Sequence, residues 1–547
     1  MAIVTFDKKE LEKLIGIKLD DKYYKEVFPM IGAPLEDINE SSVSFEIFPN
    51  RPDMLSIEGF SRAVRNFIGI GKPRRYISTP YKISVYVDKS IKEVRPYIVC
   101  AVIKDVTIDE KMLLNIMQFQ EKIHETFGRK RKKIAIGIHD YDMIKPPFYY
   151  KAVKPDEIKF IPLGTDKEMN LTDILKTHPK GISYKHLLDG FEKYPILIDS
   201  NENVISFPPI INGELTRVNE KTNNLFIDMT GTNLDALKSA LNILVTSMMD
   251  RGFMIESVRI IYDDGNEIVT PDLSERSIKV DLNYVNKMLG IKIDNEKFIQ
   301  FIKRMGFNFD NSVLIPPYRT DIMHPIDIVE DVAIAYGYEN FIPELPNIFT
   351  IGRSLDKKEF ENVISNIMTG MMFQEVRTMI LTSKDDQTEK MNVKADLVET
   401  LNPKSDDYSV CRIDLIPGIL NVFSQNKHVD YPQKIFEIGK VVFLDSSTET
   451  GANEKVLTCA AISPGNYSDI SSVINELLKS LKIKFNIIPC EDKRFIDGRV
   501  GKILINGNEI GIIGEIHPSI LNKWKVEKPV ALFELNVDKL FTLKLNQ

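Results

Sequence analysis

The segment that most constrains the fold reads RTDIMHPIDIVEDVAIAYGYEN, residues 319–340. After Arg319 it contains no Lys or Arg, although the rest of the chain mixes its charges. Like charges four residues apart destabilise a helix, so this segment needs a cation or a basic partner to neutralise it. Its carboxylates are Asp321, Asp327, Glu330, Asp331 and Glu339.

Apolar residues in this segment recur at helical spacing and predict a helix over 326–336. Asp327, Glu330 and Asp331 then project from one face of the helix, and Asp321 enters from the preceding loop. Carboxylate oxygens without His or Cys indicate a hard ion, Mg²⁺ or Ca²⁺, if a metal is bound. A solvated acidic face is the alternative that the spacing leaves open.

The acidic segment closes a predicted small α+β module at 270–345. Helices are expected at 283–290 and 295–305, with a short strand pair between them and the acidic helix. The Pro-bearing IPELPNIFT that follows is typical of a linker.

Upstream of the module, residues 1–80 predict an N-terminal α/β domain and residues 81–265 a second domain of mixed strands and helices. In the first, Arg51 and Asp53 at a strand-turn-helix junction predict a local ion pair and cap. In the second, the strand LFIDM turns at TGTN into a helix, with Thr232 or Asn233 as N-cap.

Downstream, residues 350–547 predict an antiparallel sheet with flanking helices, the first helix at 358–372. The pair Asn506-Gly507 lies between two apolar runs and favours a two-residue hairpin turn.

The composition is that of a globular protein with several domains: 547 residues, of which 43% are hydrophobic and 27% charged. No leader sequence and no apolar run near 18 residues is found, so a soluble, intracellular protein without membrane contact is expected. The four cysteines are far apart, which favours buried thiols over a zinc site or a disulfide framework.

The net charge of −7 argues against a surface coated by nucleic acid, but a basic cluster stands out at GRKRKK, residues 128–133. It is either a solvated turn or a contact for nucleic-acid phosphates. The candidates for such a contact are Arg129, Lys130, Arg131, Lys132 and Lys133.

Together these segments resemble the phenylalanyl-tRNA synthetase beta subunit, in its archaeal and eukaryotic form. The resemblance extends over nearly the whole chain, through NRPDMLSIEGFSRA, FQEKIH with AIGIHD, SFPPIING with FIDMTGT, LNPKSDDYSVCRIDLIPGIL, FEIG and GEIHP. In that family a Mg²⁺ facing the alpha subunit is bound by the pattern D-x5-D-x2-E-[ED]. This chain matches the pattern at Asp321, Asp327, Glu330 and Asp331.

The resemblance implies a cytoplasmic α2β2 assembly that uses ATP to attach phenylalanine to its tRNA, with the aminoacylation site on the alpha subunit and none in this chain. It implies an α+β multidomain fold with an editing domain, the small helix-rich module and a C-terminal domain. The last is expected to resemble a class II synthetase core without its active site, because no arginine after residue 350 is placed to hold ATP phosphates.

The resemblance also implies hydrolysis of tyrosyl-tRNA made in error. The expected pocket residues are Ser206, Asn212, Asp228, Thr230 and Thr232, each of which would otherwise be taken for a turn or cap residue. No Ser-His-Asp or Cys-His pairing is evident, so a positioned water is the expected nucleophile. His124 and His139 are expected to be core or surface histidines.

Two other functions stay open at this point. One is a Mg²⁺-dependent phosphoryl-transfer enzyme that uses the carboxylates of residues 321–331. The other is an assembly scaffold without editing activity.

Overall fold

The computed structural model describes residues 2–545, and the chain folds as two compact units that divide between Leu345 and Pro346. Both units combine helices with mainly antiparallel sheets. The expected mixed α and β, multidomain architecture is therefore confirmed. Among the helices within residues 2–545, none combines the length and apolar character needed to cross a bilayer.

The first unit begins with a small sheet whose three strands pair antiparallel in the order first, third, second. Alternate residues of the first strand are buried, as a strand with one solvated face requires. The core beneath it is aromatic, with the rings of Phe45 and Phe60 stacked 4.7 Å apart. The elements are β1 (Ala2–Asp7), α1 (Lys8–Ile15), α2 (Phe28–Met30), β2 (Leu35–Ile38), β3 (Ser42–Ile47) and α3 (Ile57–Phe67).

The predicted ion pair between Arg51 and Asp53 is confirmed, with two hydrogen bonds of 2.9 Å between buried side chains. The cap of α3 is instead supplied by Ser56, whose hydroxyl accepts from the Gly59 N–H. Serine is a preferred N-cap because its side-chain oxygen satisfies a free N–H of the first turn.

The second sheet of this unit has ten strands drawn from residues 84–270. Its strands and the helices around them, with a separate two-stranded pair formed by β8 and β9, are β4 (Ser84–Val87), β5 (Tyr97–Lys104), α4 (Glu110–Glu125), β6 (Ile134–Asp140), β7 (Phe148–Val153), β8 (Lys159–Phe160), β9 (Met169–Asn170), α5 (Leu171–Thr177), α6 (Pro179–Tyr184), β10 (Tyr194–Ile198), β11 (Val204–Phe207), β12 (Ile211–Asn212), β13 (Leu225–Gly231), α7 (Leu234–Asp250), β14 (Met254–Tyr262) and β15 (Glu267–Thr270).

The strand order is β12-β11-β10-β7-β4-β14-β5-β13-β6, with β15 paired to β14. Every residue of β13 is buried, because β5 and β6 flank it and α7 packs over the same region. Its polar residues Asp228 and Thr230 are therefore buried together with its apolar ones. The register of β13 and β6 places Asp228 opposite Gly137.

The remainder of the first unit is a three-stranded antiparallel sheet with three helices. The predicted helices at 283–290, 295–305 and 326–336 are confirmed to within one residue at each end. Asp281 and Asp294 cap the first two, and Gly290 ends the first in a left-handed conformation. The elements are β16 (Arg276–Ile278), α8 (Leu282–Leu289), α9 (Asn295–Arg304), β17 (Asn308–Phe309), β18 (Val313–Ile315) and α10 (Pro325–Tyr336).

The second unit is built on a seven-stranded sheet, antiparallel except for its first pair. Its strands and helices, with a separate pair formed by β20 and β21, are α11 (Asp356–Gly370), β19 (Gln374–Glu375), β20 (Leu381–Thr382), α12 (Lys384–Gln387), β21 (Val410–Cys411), α13 (Ile416–Gln425), β22 (Gln433–Leu444), β23 (Ala452–Ser463), α14 (Tyr467–Ser480), β24 (Asn486–Pro489), β25 (Phe495–Ile505), β26 (Asn508–Ile516), α15 (Pro518–Lys523), β27 (Ala531–Asn536) and α16 (Val537–Leu545).

The order in this sheet is β19-β22-β23-β27-β26-β25-β24. Helices α11, α14 and α16 contribute to one apolar core and α13 and α15 to another. The predicted hairpin is confirmed: β25 and β26 meet at Asn506 and Gly507, whose φ angles of 50° and 79° fit a type I′ turn.

All four cysteines are free. Cys100 and Cys459 are buried, as expected, whereas Cys411 and Cys490 are half-buried.

Candidate functional site

The cation that balances the acidic segment is its own first residue, Arg319. This guanidinium is buried and donates to both oxygens of Asp321, at 2.9 and 2.7 Å, and to Asp331 Oδ2 at 2.6 Å. It also donates to the Met305 carbonyl at 3.2 Å. Two of the four expected metal ligands are therefore already neutralised inside the protein.

The two carboxylates respond differently to the same guanidinium. Burial opposes the charged form of Asp321, but Arg319 outweighs it and lowers the pKa of that carboxyl. Asp331 is more deeply buried, and burial raises its pKa to about 6 despite the contact with Arg319.

The other two expected ligands lie nearer the surface. Asp327 Oδ2 accepts from the N–H groups of Met323 and His324, both at 2.7 Å, and so completes a capping box at the start of α10. Glu330 is exposed.

Asp327, Glu330 and Asp331 share one side of α10, as positions i, i+3 and i+4 require, but they differ in burial. Glu330 is exposed, Asp327 is half-buried and Asp331 is buried. Throughout residues 2–545, no group of three or more His, Cys, Asp or Glu side chains is arranged to hold a metal ion. The four carboxylates do not fit a single magnesium site in this chain. The same pairing leaves a metal-dependent phosphoryl transfer with only Asp327 and Glu330 of its four expected ligands.

A cavity of about 550 Å³ lies in the first unit against the ten-stranded sheet. It is lined by residues of α4, β6, β11, β12 and β13, and we call it the α4–β13 cavity. Four of the five predicted pocket residues line it, namely Ser206, Asn212, Asp228 and Thr230. Its walls also include the apolar residues Leu113, Ile116, Phe207, Pro208 and Ile210.

Thr232 is not among the lining residues and is exposed. It follows β13, and the next residue, Asn233, caps α7 by accepting from the Ala236 N–H at 2.9 Å. The prediction of Thr232 as a pocket residue is therefore not supported by its position, because the chain has already left the cavity.

The basic cluster divides between the surface and the cavity. Arg131 is buried, lines the cavity, and donates to the Ile210 carbonyl and to Glu121, both at 2.9 Å. Its guanidinium also lies 4.4 Å from the Tyr184 ring centroid. Arg131 is therefore a cavity residue and not the surface phosphate contact that we expected.

The rest of the cluster forms the turn between α4 and β6. Arg129, Lys130 and Lys132 are exposed, and Lys133 is half-buried. Residues 129–131 are all left-handed, with φ angles of 48°, 52° and 66°, a conformation that costs a non-glycine residue roughly 1–2 kcal/mol. Buried Arg95 holds the turn by donating to the carbonyls of residues 131 and 132, at 3.1 and 3.2 Å.

Glu121 is a cavity residue that was not predicted from the sequence. It lies on α4 at the cavity and accepts from Arg131 and, at 3.3 Å, from Lys180. The nearby His124 and Arg131 lower the pKa of Glu121 to about 2, so it is ionised at neutral pH. No spacing in the sequence connects Glu121 with Lys180, which is 59 residues away.

His124 is structural. Its Nε2 accepts from the Ile136 N–H at 2.8 Å, and burial lowers the pKa of the imidazole, so this ring is neutral. The expectation of a core histidine is confirmed for this residue.

His139 is buried completely and joins two cavity residues. Its Nε2 lies 2.6 Å from Asp228 Oδ1, and its Nδ1 lies 2.8 Å from the Thr216 hydroxyl. The sequence indicated no pairing of a histidine with a carboxylate and a hydroxyl. The partners are separated by 77 and 89 positions from His139, so strand register alone brings the three residues together.

Two buried polar atoms at the cavity have no hydrogen-bond partner among the described residues, Ser206 Oγ and Arg131 Nε. A buried polar group without a partner costs about 1–3 kcal/mol, so such atoms indicate where a polar ligand or water belongs.

In the second unit, buried Arg412 and half-buried Arg494 are held by carboxylates. Arg412 donates to Glu437 at 2.7 Å, and Arg494 donates to Asp492 at 2.7 Å and to Asp414 at 3.0 Å. Arg499 donates to Glu515 at 2.6 Å.

Comparison with known proteins connects both units to one family. Residues 278–338 match the family described as the tRNA synthetase B5 domain, and residues 342–537 match the phenylalanyl tRNA synthetase beta chain CLM domain.

Whole-chain relatives agree. The chain is 42% identical over 544 residues to a phenylalanine–tRNA ligase beta subunit of Thermococcus sibiricus, covering 96% of this chain and 97% of the relative. It is 38% identical over 550 residues to the beta subunit of Methanococcoides burtonii, covering 98% and 100%. A crystal structure of an N-terminal fragment of the phenylalanyl-tRNA synthetase beta subunit from Pyrococcus horikoshii matches with a TM-score of 0.60 and 41% identity, over 62% of this chain and all of the fragment.

Proposed function

Because the chain belongs to the phenylalanine–tRNA ligase beta subunit family, we propose that it binds tRNA beside an alpha subunit and that its α4–β13 cavity hydrolyses mischarged tyrosyl-tRNA. In this proposal the alpha subunit uses ATP to attach phenylalanine, and the two subunits assemble as α2β2 in the cytoplasm. The family generally uses Mg²⁺ and ATP.

Proofreading meets a physical need of such an enzyme. A pocket shaped for phenylalanine rejects tyrosine by only about a hundredfold, because an apolar site cannot strongly exclude an added hydroxyl. A second site that hydrogen-bonds the hydroxyl can select the wrong product, since a buried polar group left unpaired is costly.

The observation that carries the proposal is the combination of apolar walls with unsatisfied polar atoms in the α4–β13 cavity. Ser206 Oγ is buried without a partner, and Asp228 uses Oδ1 for His139 while no described residue bonds its Oδ2. These groups can accept or donate to a tyrosyl group and to a hydrolytic water. The volume of about 550 Å³ suits an aminoacyl-adenosine end.

The charge around the cavity supports a tRNA substrate. Glu121 and Lys180 have side chains 41% and 45% exposed, so they mark the open side, whereas Ser206 and Asp228 are buried. An ionised carboxylate at the open side can receive the free ammonium group of the aminoacyl ester. Arg129, Lys130 and Lys132 extend from the turn that carries Arg131 and can contact phosphates.

The second unit is proposed to be a class II-like partner domain without ligase chemistry. Adenylate formation requires cations that are free to bind phosphates, and here Arg412 and Arg494 are held by carboxylates of the same unit. We assign this unit to contact with the alpha subunit.

A magnesium site, if shared with the alpha subunit, would use only part of the expected ligand set. Asp327 and Glu330 are the carboxylates not paired with Arg319. Hard oxygen ligands of this kind suit Mg²⁺, which keeps several waters and can accept its other ligands from a second chain.

The test is deacylation of tyrosyl-tRNA(Phe) by the purified chain, with and without the alpha subunit. Asp228→Asn should slow hydrolysis by about 100-fold, because Asn lacks the charge that polarises a water. Thr232→Val, outside the cavity, is the matched control and should hydrolyse at the wild-type rate.

Aminoacylation with phenylalanine by the complex should be unchanged in both variants. A wild-type chain that leaves tyrosyl-tRNA intact would refute editing and favour the scaffold.

A further inference from the structure

The Asp228 carboxylate occupies the space that a side chain at residue 137 would fill, and residue 137 is a glycine. Asp228 on β13 lies opposite Gly137 on β6, and a Cβ at residue 137 would lie 2.2 Å from Asp228 Oδ1 and 2.5 Å from His139 Nε2. His139 is two residues further along β6, on the same face of the sheet. The missing side chain therefore allows the imidazole and the carboxylate to meet.

Both ring nitrogens of the histidine have partners. Nε2 lies 2.6 Å from Asp228 Oδ1, and a carboxylate oxygen accepts, so Nε2 carries the hydrogen of this bond. Nδ1 lies 2.8 Å from the Thr216 hydroxyl, which also lies 3.1 Å from the Gly213 carbonyl. Thr216 therefore connects the imidazole to the loop that follows β12.

This arrangement leaves one carboxylate oxygen for the cavity. His139 fixes Oδ1, and none of the described residues donates to Oδ2. Because Asp228 lines the cavity, its orientation decides where Oδ2 can bind a water or a substrate group. His139 itself is not among the lining residues, so it cannot touch a bound substrate directly.

We propose that His139 is a positioning residue, which holds Asp228 in the orientation that hydrolysis requires and is itself held by Thr216. This inference rests on the function proposed above. The histidine takes no proton from water and forms no covalent bond. Its contribution is geometric, and a misplacement of about 1 Å at a reacting group can cost about 100-fold in rate.

The experiment compares two replacements of the histidine in the full chain complexed with the alpha subunit. His139→Leu removes the donor, and His139→Gln keeps an amide N–H near the position of Nε2. His139→Leu should lower kcat for tyrosyl-tRNA hydrolysis by about 100-fold with KM changed less than about threefold. His139→Gln should recover most of that loss.

A second pair of variants leaves His139 in place, so that the test of its role does not depend on the stability of the His139 variants. Thr216→Val deletes the hydroxyl that contacts His139 Nδ1, and Thr216→Ser keeps it. Thr216→Val should lower kcat, by less than His139→Leu, and Thr216→Ser should behave as the wild type. Thermal unfolding and phenylalanine attachment by the complex are measured on every variant to separate stability from orientation.

The inference is overturned if His139→Leu hydrolyses at the wild-type rate, or if His139→Gln is as slow as His139→Leu at equal stability. It is also overturned if Thr216→Val and Thr216→Ser are equally active. These outcomes leave the proposed function intact, since the wild type still hydrolyses tyrosyl-tRNA. A wild type without hydrolysis refutes the proposed function and this inference together.

Discussion

Arg319 Nη2 lies 2.6 Å from Asp331 Oδ2, and both side chains are buried. The same nitrogen lies 2.7 Å from Asp321 Oδ2, so one guanidinium serves a loop and a helix that begins four residues later. The acidic segment is therefore stabilised from inside the first unit.

Arg319→Met should destabilise the first unit by about 3–5 kcal/mol, because it leaves buried Asp331 and half-buried Asp321 without their cation. The free energy of unfolding in urea measures the effect. Lys25→Met removes an exposed ion pair with Asp21 and is the control, expected to change stability by less than about 0.5 kcal/mol. Adding Asp321→Asn and Asp331→Asn to Arg319→Met should restore part of the loss. Equal stability of the two single variants would contradict this assignment.

Gly137→Ala should slow tyrosyl-tRNA hydrolysis while the chain still folds. The added methyl group would overlap Asp228 Oδ1 and push the carboxylate out of its bond with His139. We expect a loss of about 100-fold in the deacylation rate. Gly352→Ala, where an added Cβ meets no atom within 4 Å, is the control. Hydrolysis by Gly137→Ala at the wild-type rate would show that the orientation of Asp228 is unimportant.

Glu534 predicts a pH dependence of the second unit's stability. Burial, and then the charge of Asp414, raises the pKa of Glu534 to about 8, against an ordinary value of about 4.3 in the unfolded chain. Over that interval the folded state binds more protons, so the contribution of this group is present at low pH and is lost as the pH rises.

Glu534→Gln keeps an acceptor for the Leu415 N–H and removes the titration. Its stability relative to the wild type should therefore increase between about pH 5 and 8, by at most about 1.4 kcal/mol per pH unit. Denaturant unfolding at several pH values measures this, with the exposed Glu476→Gln as control. A constant difference between Glu534→Gln and the wild type would contradict the prediction.

Glu330→Gln should weaken magnesium-dependent assembly with the alpha subunit, by roughly tenfold, if this exposed carboxylate contacts a shared ion. Glu339→Gln, also exposed on the acidic segment, is the matched control. Sedimentation with and without a chelator measures assembly. The magnesium proposal fails if Glu330→Gln assembles as the wild type does, or if a chelator has no effect on the wild type.

Replacing Arg129, Lys130 and Lys132 together by alanine should weaken tRNA binding. The slope of log affinity against log salt should fall by about one for each phosphate that these side chains neutralise in the wild type. Titration of tRNA(Phe) at several salt concentrations measures both quantities. Alanine at the exposed Lys9, Lys13 and Lys18 removes the same charge elsewhere and should leave the slope unchanged. An unchanged slope in the first variant would mean that the turn is only solvated.

The sequence predicted local structure well, since helical spacing and caps are local properties. The helix at residues 325–336 and the hairpin at Asn506 and Gly507 both follow from neighbours in the chain. Four polar residues of the α4–β13 cavity could be found because they lie on or beside strands in motifs that the resemblance pointed to.

What the sequence could not show depends on interactions between distant residues. The sequence predicted three carboxylates on one side of α10, but only the structure shows that Asp331 is buried against Arg319. Arg131 belongs to a run of basic residues that predicted a surface cluster. Only the structure shows that it lines the cavity and donates to Glu121 and the Ile210 carbonyl. The spacing of Gly137 and His139 indicates a site only once the strand register places Gly137 opposite Asp228.

The left-handed turn at residues 129–131 reverses a common rule of protein engineering. At most surface positions glycine weakens a fold, but where φ is positive it is the residue that adopts the backbone without strain. A Lys130→Gly substitution would therefore relieve backbone strain in this turn. The lysine of the wild type adopts the same conformation at a cost in free energy. Lys130→Gly would remove the charge and relax the backbone in one step, so a weaker tRNA affinity in a more stable protein would assign the lysine to a contact outside the chain.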